Sequence, residues 1–204
     1  MADRFAVVGG GSWGTALAIH LRSAGHDVRI WEPLADRAEE MARTRENRIG
    51  LPGVHVPEEI LVTSDLGAAS EGVRWLVFAL PSHVLRRGAR QVAALDLPWD
   101  EVTVVSGTKG LEIETFSRMT QVLAEELPVP PGRIVALSGP SHAEEVSRGI
   151  PTAVVVACPD VDTARRTQSA FMTPRFRVYA SPDVTGVELG GALKNVMAVA
   201  SGIS

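Results

Sequence analysis

The chain has 204 residues, of which 45% are hydrophobic and 22% are charged, a balance typical of a soluble globular protein that buries a sizeable core. Its formal net charge of −4, without any run of basic residues, argues against a nucleic-acid partner. We find no uninterrupted run of about 18 strongly apolar residues, so no membrane span is predicted, and we predict no metal site. The single cysteine, Cys158, excludes an internal disulfide and favours a reducing, cytoplasmic compartment.

Short β-branched segments alternate along the chain with longer segments of helical period. The strand candidates, in order, are RFAVVG, DVRIW, ILVT, RWLVFAL, EVTVVSG, RIVALSG, TAVVVA and FRVYA. The helix candidates are SWGTALAIHLRSAG, SHVLRRGARQVAAL and ETFSRMTQVLAEEL, and the second carries Arg86, Arg87 and Arg90 on a face that we predict to be solvated. The alternation predicts an α/β fold with a doubly wound, mostly parallel sheet. The Gly- and Pro-rich stretch 47–59 has no clear period and is predicted to be a loop.

The stretch VVGGGSWG places Gly9, Gly11 and Gly14 in the spacing G-x-G-x-x-G, directly after the first strand and at the start of a helix. In a Rossmann-type domain the first glycine allows the tight turn, the second lets a pyrophosphate approach the backbone, and the third lets helix and strand pack closely. The N–H groups at the helix N-terminus then favour the anion. The motif therefore predicts a dinucleotide site, although a glycine turn without a ligand has the same spacing.

Glu32 ends the second strand, 18 residues after Gly14. An acidic residue near this position binds the ribose 2′-hydroxyl of NAD in Rossmann-type domains. Because a carboxylate there would repel a 2′-phosphate, we predict NAD over NADP. The alternative is a solvated residue at the start of the next helix.

Three later strands end in polar residues, at the edge of the sheet where open α/β folds bind ligands. Ser82 and His83 follow the first of these strands, and Ser82 is a natural helix N-cap. Lys109 follows the second strand, where it is either solvent-facing or functional. Ser141 follows the third and has capping-box spacing to Glu144, but the same helix N-terminus is also suited to an anion.

The segment after Ser181 changes to a Gly/Ala-rich helix that carries Lys194. Gly186 and Gly190 precede this lysine at four-residue steps, so they form a row of small residues on its helix face. Since each glycine weakens a helix by about 1 kcal/mol, the row favours close approach of a backbone or a flat ring beside Lys194. A lysine that extends to water from a packed helix is the alternative.

Taken together, six ordered motifs resemble the NAD(P)-dependent glycerol-3-phosphate dehydrogenases from the start of the chain to its last residue. The motifs are GGGSWGTALA, NRIGLPGVHVP, PSHVLR, GTKGLE, LSGPSHAEEVSRGIPTAVVVA and FRVYASPDVTGVELGGALKNVMAVASG. The resemblance implies reversible hydride transfer between a nicotinamide, NAD or NADP, and dihydroxyacetone phosphate. The product would be sn-glycerol 3-phosphate, a precursor for glycerophospholipid synthesis.

The resemblance also implies roles for individual residues. The cofactor contacts that it adds to the glycine loop are Ser12, Trp13, Lys109 and Ala143. The substrate contacts that it implies are Lys109, Gly139, Ser141 and Lys194, and among them Lys194 would be the proton donor and acceptor at the substrate oxygen. In this interpretation residues 1–181 form the dinucleotide-binding domain, and residues 182–204 begin a helical substrate domain whose remainder is absent.

The sequence departs from the family pattern at three points. Pro33, preceded by Glu32, stands where many bacterial members have a basic residue, which supports NAD. Gly50 stands where the family usually has a tyrosine. The Arg-Asn motif that binds the substrate phosphate is not reached, so we expect these 204 residues to bind nucleotide with little turnover, and a homodimer only in a complete protein.

Two other functions fit the same motifs. The first is a related hydroxyacid dehydrogenase that acts on a carboxylate. The second is a non-catalytic module that senses the redox state of NAD.

Overall fold

The computed structural model describes residues 3–203, without the side chains at positions 195, 197, 198 and 203. A 3₁₀ turn covers Pro131–Arg133. The other elements, in chain order, are β1 (Arg4–Val8), α1 (Ser12–Ser23), β2 (Asp27–Trp31), α2 (Ala35–Thr44), β3 (Glu46–Asn47), β4 (Leu51–His55), β5 (Leu61–Thr63), α3 (Leu66–Ser70), β6 (Trp75–Phe78), α4 (Ser82–Ala93), β7 (Thr103–Ser106), α5 (Met119–Glu126), β8 (Ile134–Ser138), α6 (Ala143–Ser147), β9 (Thr152–Ala157), α7 (Val161–Phe171), β10 (Phe176–Ser181) and α8 (Val184–Ile203).

Eight of these strands form one sheet in the order β10-β9-β8-β7-β6-β1-β2-β5. Neighbouring strands are parallel except β8 and β9, which pair antiparallel. The chain moves outward from β1 in one direction to β2 and β5, then returns to place β6 on the other side of β1. Strand order therefore reverses at β1, and in open α/β sheets ligands bind beyond the carboxyl ends of the strands at such a reversal.

Helices cover both faces of the sheet because alternate strand residues point to opposite faces. Phe5 and Val7 belong to an apolar layer shared with α1, α6 and α7. Ala6 and Val8 belong to a second layer, shared with α3, α4 and α5. The predicted doubly wound α/β fold is thus confirmed. Cys158 is fully buried and free, and no helix within residues 3–203 is long and apolar enough to cross a membrane.

Each of the eight predicted strands is present, but two connecting segments differ from their predictions. The stretch 47–59 contains a β-hairpin, because β3 and β4 pair antiparallel with a register shift. Pro52 and the left-handed Gly53 obscure the strand period there. The third predicted helix is shorter than its apolar period, since α5 begins only at Met119.

The basic cluster on α4 is solvated at Arg87 and Arg90, as predicted, whereas Arg86 is mostly shielded and paired with carboxylates. The Arg86 guanidinium donates to both carboxylate oxygens of Glu112 at 2.8 Å and to Glu126 at 2.5 Å. Arg90 donates to Glu126 as well, whereas Arg87 is exposed as predicted. The prediction for Arg86 was wrong because its partners come from α5 and from the loop before it, which are distant in sequence.

Candidate functional site

The glycine loop follows β1 directly and leads into α1. Gly9 has a φ of +116°, a conformation that favours glycine. A Cβ on Gly14 would lie 1.9 Å from the carbonyl oxygen of Gly9, so only glycine allows this contact between helix and turn. A Cβ on Gly11 would meet nothing within 4 Å. The backbone at Gly11 therefore faces open space at a helix N-terminus that no side chain caps, a cradle that fits an anionic group.

The β3–β4 hairpin is fastened to this loop by Asn47, a residue that the sequence interpretation missed. Its Nδ2 donates to the carbonyl oxygen of Gly10 and to Oγ1 of Thr15, each at 2.8 Å. Its Oδ1 accepts from the N–H of Gly50 at 2.9 Å. A Cβ on Gly50 would lie 2.9 Å from the N atom of Ser12, so the glycine at this departure from the family pattern lets the hairpin approach the loop closely.

Glu32 lies beside the glycine loop at the carboxyl end of β2. It is only 6% exposed, and its Oε1 accepts from the N–H of Leu34 at 3.1 Å. The carboxylate packs directly on Gly10, since a Cβ on that glycine would lie 2.7 Å from the Glu32 Oε2. The alternative of a solvated residue that starts the next helix is excluded, because α2 begins at Ala35 and Glu32 is buried against the loop.

A single cavity of about 670 Å³ joins the glycine loop to the ends of β2, β6 and β7. The predicted site residues that line it are Gly9, Gly11, Ser12, Trp13, Glu32, Lys109, Ser141 and Ala143. The structure thus brings most of the predicted residues together. Among the described residues, Gly14 lies behind the loop, where it packs on Gly9, and Gly139 and Lys194 do not contribute to the lining.

Lys109 is half-buried at the end of β7, which excludes a fully solvent-facing side chain. Its Nζ donates to the carbonyl oxygens of Gly139 at 3.3 Å and Ser141 at 3.5 Å, and to the Ser141 Oγ at 3.4 Å. None of these acceptors is a carboxylate. Burial lowers the pKa of the Lys109 ammonium below its usual range, and repulsion from the charge of Lys194 lowers it further. Gly139 therefore contacts Lys109 through its carbonyl oxygen.

Two predicted helix caps are absent from the structure. The N-cap of α6 is His142, and the capping box expected from Ser141 and Glu144 does not form. Ser141 is instead buried beside Lys109, and its hydroxyl accepts from Lys109 and donates to the carbonyl oxygen of Gly139. Ser82 is the first residue of α4 rather than its cap, because Pro81 occupies the N-cap position.

Lys194 projects from the exposed side of α8. A Cβ on Gly190, one turn before it, would meet nothing within 4 Å, so the predicted close approach does not occur at that glycine. Gly191 makes it instead, since a Cβ there would lie 2.4 Å from the Oγ of Ser138 at the end of β8. Through this contact α8 lies beside the strand end that leads to Gly139.

A further sequence signal was available for both lysines. The chain has two lysines, Lys109 and Lys194, against eighteen arginines. Both lie near the same end of the sheet, close enough for their charges to interact. Arginine remains charged at all accessible pH values, whereas a lysine pKa shifts readily on burial. The rarity of lysine in the chain therefore singles out these two positions as candidates for the site.

A strand-order reversal, a glycine turn into a helix N-terminus and a buried acid at the end of β2 define a Rossmann-type dinucleotide-binding domain. Comparison with known proteins gives the family. The chain belongs to the NAD-dependent glycerol-3-phosphate dehydrogenases, because the family model of their N-terminus matches residues 4–164.

Individual relatives agree with this assignment. The chain is 48% identical over 204 residues to a glycerol-3-phosphate dehydrogenase (NAD(P)+) of Moorella thermoacetica, covering 100% of this chain and 59% of the relative. It is 48% identical over 207 residues to the enzyme of that name from Pelotomaculum thermopropionicum, covering 100% and 58%. A crystal structure of glycerol-3-phosphate dehydrogenase from Coxiella burnetii superposes with a TM-score of 0.89 at 36% identity, covering 100% of this chain and 61% of that one. The chain therefore spans less than two thirds of the length of each.

Proposed function

We propose that this chain is the cofactor domain of a glycerol-3-phosphate dehydrogenase that interconverts dihydroxyacetone phosphate and sn-glycerol 3-phosphate with a nicotinamide dinucleotide. The observation that carries this proposal is the cavity that joins the glycine loop to Lys109 and Ser141. The proposed dinucleotide cradle and a lysine that has no carboxylate partner among the described residues line the same cavity. Family membership favours this reaction over the hydroxyacid alternative.

Each predicted cofactor residue has a physical role in this proposal. Gly9 and Gly14 shape the turn, while the N–H groups after Gly11 face the pyrophosphate. The buried carboxylate of Glu32 would accept from the ribose 2′-hydroxyl and disfavour a 2′-phosphate, so we propose NAD as the preferred cofactor. Ser12, Trp13, Lys109 and Ala143 would complete the cofactor contacts.

The substrate would lie on the side of the cavity formed by Lys109 and Ser141, with the carbonyl oxygen of Gly139 behind them as an acceptor for Lys109. When bound, the nicotinamide supplies or accepts the hydride. During reduction of the ketone, negative charge develops on the substrate oxygen and requires a positioned proton donor. We assign that proton to the Lys194 ammonium, and the charge of Lys109 would stabilise the oxyanion and the substrate phosphate.

The broader setting is part of the proposal. Cys158 is free and buried, which supports a reducing compartment such as the cytoplasm. We place the domain boundary near Ser181, at the end of β10, with the substrate domain beginning at α8. We propose that the complete enzyme is a homodimer, and we propose no nucleic-acid partner.

Titration of the chain with NADH and with NADPH, followed by tryptophan fluorescence, tests cofactor binding. We expect saturable quenching with tighter binding of NADH. Because Trp13 lines the cavity, Trp13→Phe should remove most of the signal. The matched control Trp99→Phe, on the opposite side of the sheet, should retain it. Absence of saturable binding by either nucleotide would refute the proposed site.

The reaction is tested in a complete enzyme that contains this chain. Lys194→Ala should lower turnover of dihydroxyacetone phosphate by about 10²–10⁴-fold, the range for general acid–base residues, while NADH affinity changes little. Turnover near that of the wild type would remove Lys194 from the mechanism. Measurable hydride transfer would also exclude the non-catalytic sensor.

A further inference from the structure

Glu188, on the first turns of α8, is a buried carboxylate that the proposed mechanism does not use. It is 8% exposed, and its partners belong to the N-terminus of α5. Its Oε1 accepts from the N–H of Thr120 at 2.8 Å. Its Oε2 accepts from the Thr120 hydroxyl at 2.7 Å and from Arg118 Nη1 at 2.6 Å. We call this set the Glu188 clamp.

The clamp is strong because the Glu188 carboxylate meets both a positively charged side chain and the N-terminus of a helix. Thr120 is the second residue of α5, so its N–H is one of the donors left without an intrahelical partner at a helix N-terminus. An anion at that position also interacts favourably with the helix dipole. Arg118 then neutralises the carboxylate, as a buried charge requires.

Two other features of α8 among its described side chains constrain its rotation less directly. Gly191 packs directly on Ser138, which sets how closely the helix approaches the sheet. A glycine presents no side chain, so this contact constrains distance better than rotation. Leu193, Val196 and Val199 on the same helix are at least half exposed. The clamp therefore supplies a directional contact that glycine packing lacks.

Rotation at Glu188 is transmitted to Lys194, which lies six residues further along the same helix. At about 1.5 Å per residue the two are about 9 Å apart along the axis. Side-chain tips lie about 5–6 Å from a helix axis, so a rotation of about 30° would displace the lysine by about 3 Å. That displacement equals the length of a hydrogen bond, enough to remove a proton donor from its acceptor.

We propose that Glu188 is a positioning residue, which fixes the rotation of α8 on α5 and thereby sets where the Lys194 charge lies relative to Lys109. This inference rests on the proposed function for the meaning of the lysine pair, but the geometry can be tested without catalysis. The clamp joins Arg118 to Glu188, which are 70 residues apart in sequence. If the inference holds, this contact sets how strongly the charges of the two lysines interact.

The presence of only two lysines makes a direct test possible in this chain. After ¹³C-methylation of lysine amines, NMR titration reports the pKa of Lys109 and of Lys194 separately. Lys194→Met should raise the pKa of Lys109 by removing a repelling charge. Glu188→Gln should also raise it, by releasing Lys194. Deleting a negative charge without any movement would instead lower a lysine pKa, so the sign of the change distinguishes positioning from a direct charge effect.

Three further variants complete the test. Thr120→Val removes one hydrogen bond but retains the Glu188 charge, and should raise the Lys109 pKa by a smaller amount. Glu126→Gln makes the same charge change at the other end of α5 and should leave the Lys109 pKa unchanged. In the Lys194→Met background, Glu188→Gln should have a smaller effect than in the wild type.

An unchanged or lowered Lys109 pKa in Glu188→Gln, or an equal shift in both backgrounds, would overturn the inference. NADH binding by each variant, measured alongside, shows that the fold is intact. If wild-type chain bound no NADH, the proposed function would fail, while the lysine titration would still report on the clamp.

Discussion

The ammonium group of Lys109 lies 5.5 Å from the centre of the Trp13 indole ring. This contact links the loop after β7 to the first turn of α1, two segments that are distant in sequence. A cation over an aromatic ring is worth about 0.5–1 kcal/mol at an exposed site and favours the charged lysine. Burial acts in the opposite direction, as does repulsion from the charge of Lys194, and both lower the Lys109 pKa. The proposed cofactor side and the proposed substrate side of the cavity thus meet at one pair of residues.

Gly14→Ala should destabilise the domain, whereas Gly11→Ala should not. The new Cβ at Gly14 would lie 1.9 Å from the Gly9 carbonyl oxygen, but the one at Gly11 would enter open space. We expect a loss of about 1–3 kcal/mol for Gly14→Ala, as for other overpacked sites. Gly11→Ala should keep its melting temperature and lose NADH affinity, because its methyl group occupies the space for the pyrophosphate. Equal melting temperatures for both variants would contradict this account.

Glu32→Gln should shift cofactor preference towards NADPH. Glutamine keeps the size of the side chain and an acceptor for the Leu34 N–H, but it removes the charge that would repel a 2′-phosphate. We expect the ratio of the NADPH to the NADH dissociation constant to fall by about tenfold, which corresponds to about 1.4 kcal/mol. Fluorescence titrations of both nucleotides measure it. Glu40→Gln provides the control, because Glu40 is a partly exposed residue of α2 in the adjoining pocket and is paired with Arg48. An unchanged ratio in Glu32→Gln would argue against the 2′-hydroxyl contact.

The Lys109→Met variant should change how stability depends on pH. The folded state holds the Lys109 pKa below its value in the unfolded chain, so the unfolded state binds more protons between the two values. The wild type therefore carries a penalty that is fully present below the folded pKa. The penalty disappears as the pH rises towards the ordinary lysine pKa of about 10.4. Denaturant unfolding from pH 7 to 10.5 should show wild-type stability rising relative to Lys109→Met. A constant difference would mean that the Lys109 pKa is not depressed by folding.

Arg86→Met should weaken the contact between α4 and α5, and it should make the stability of the protein less sensitive to acid pH. Arg86 lowers the pKa of Glu112 to about 2. A depressed carboxylate pKa contributes stability that is present above the unfolded value, about 4.3, and is lost as the pH falls through the folded value. Wild-type stability should therefore fall between about pH 5 and pH 2, more steeply than that of Arg86→Met. The exposed neighbour provides the comparison, because Arg87→Met should follow the wild-type curve, and parallel curves for all three proteins would show that the pairing contributes nothing.

The local sequence pattern was sufficient to predict an element wherever the residues of that segment alone favour its structure. The strands around Val7, Val77 and Val135 are β-branched and apolar on both faces, so burial on both sides of a sheet is the stable arrangement for them. The β3–β4 hairpin was not predicted because it is held in place by contacts of Asn47 with Gly10 and Thr15. It has no local hydrophobic period. The predicted capping box at Ser141 is absent for a similar reason. The serine hydroxyl instead accepts a hydrogen bond from Lys109, which comes from another strand end.

The sequence alone determined the α/β class, the glycine turn after β1 and the type of each site residue, because propensity, hydrophobic period and glycine geometry act over a few residues. Tertiary structure decided which strand ends meet, that Glu32 is buried, and that Glu188 contacts Thr120 across 68 residues. Those relationships depend on strand order and helix docking, which are set by burial over the whole sheet. The charges of Lys109 and Lys194 interact only because the fold brings the end of β7 and the helix α8 to the same edge.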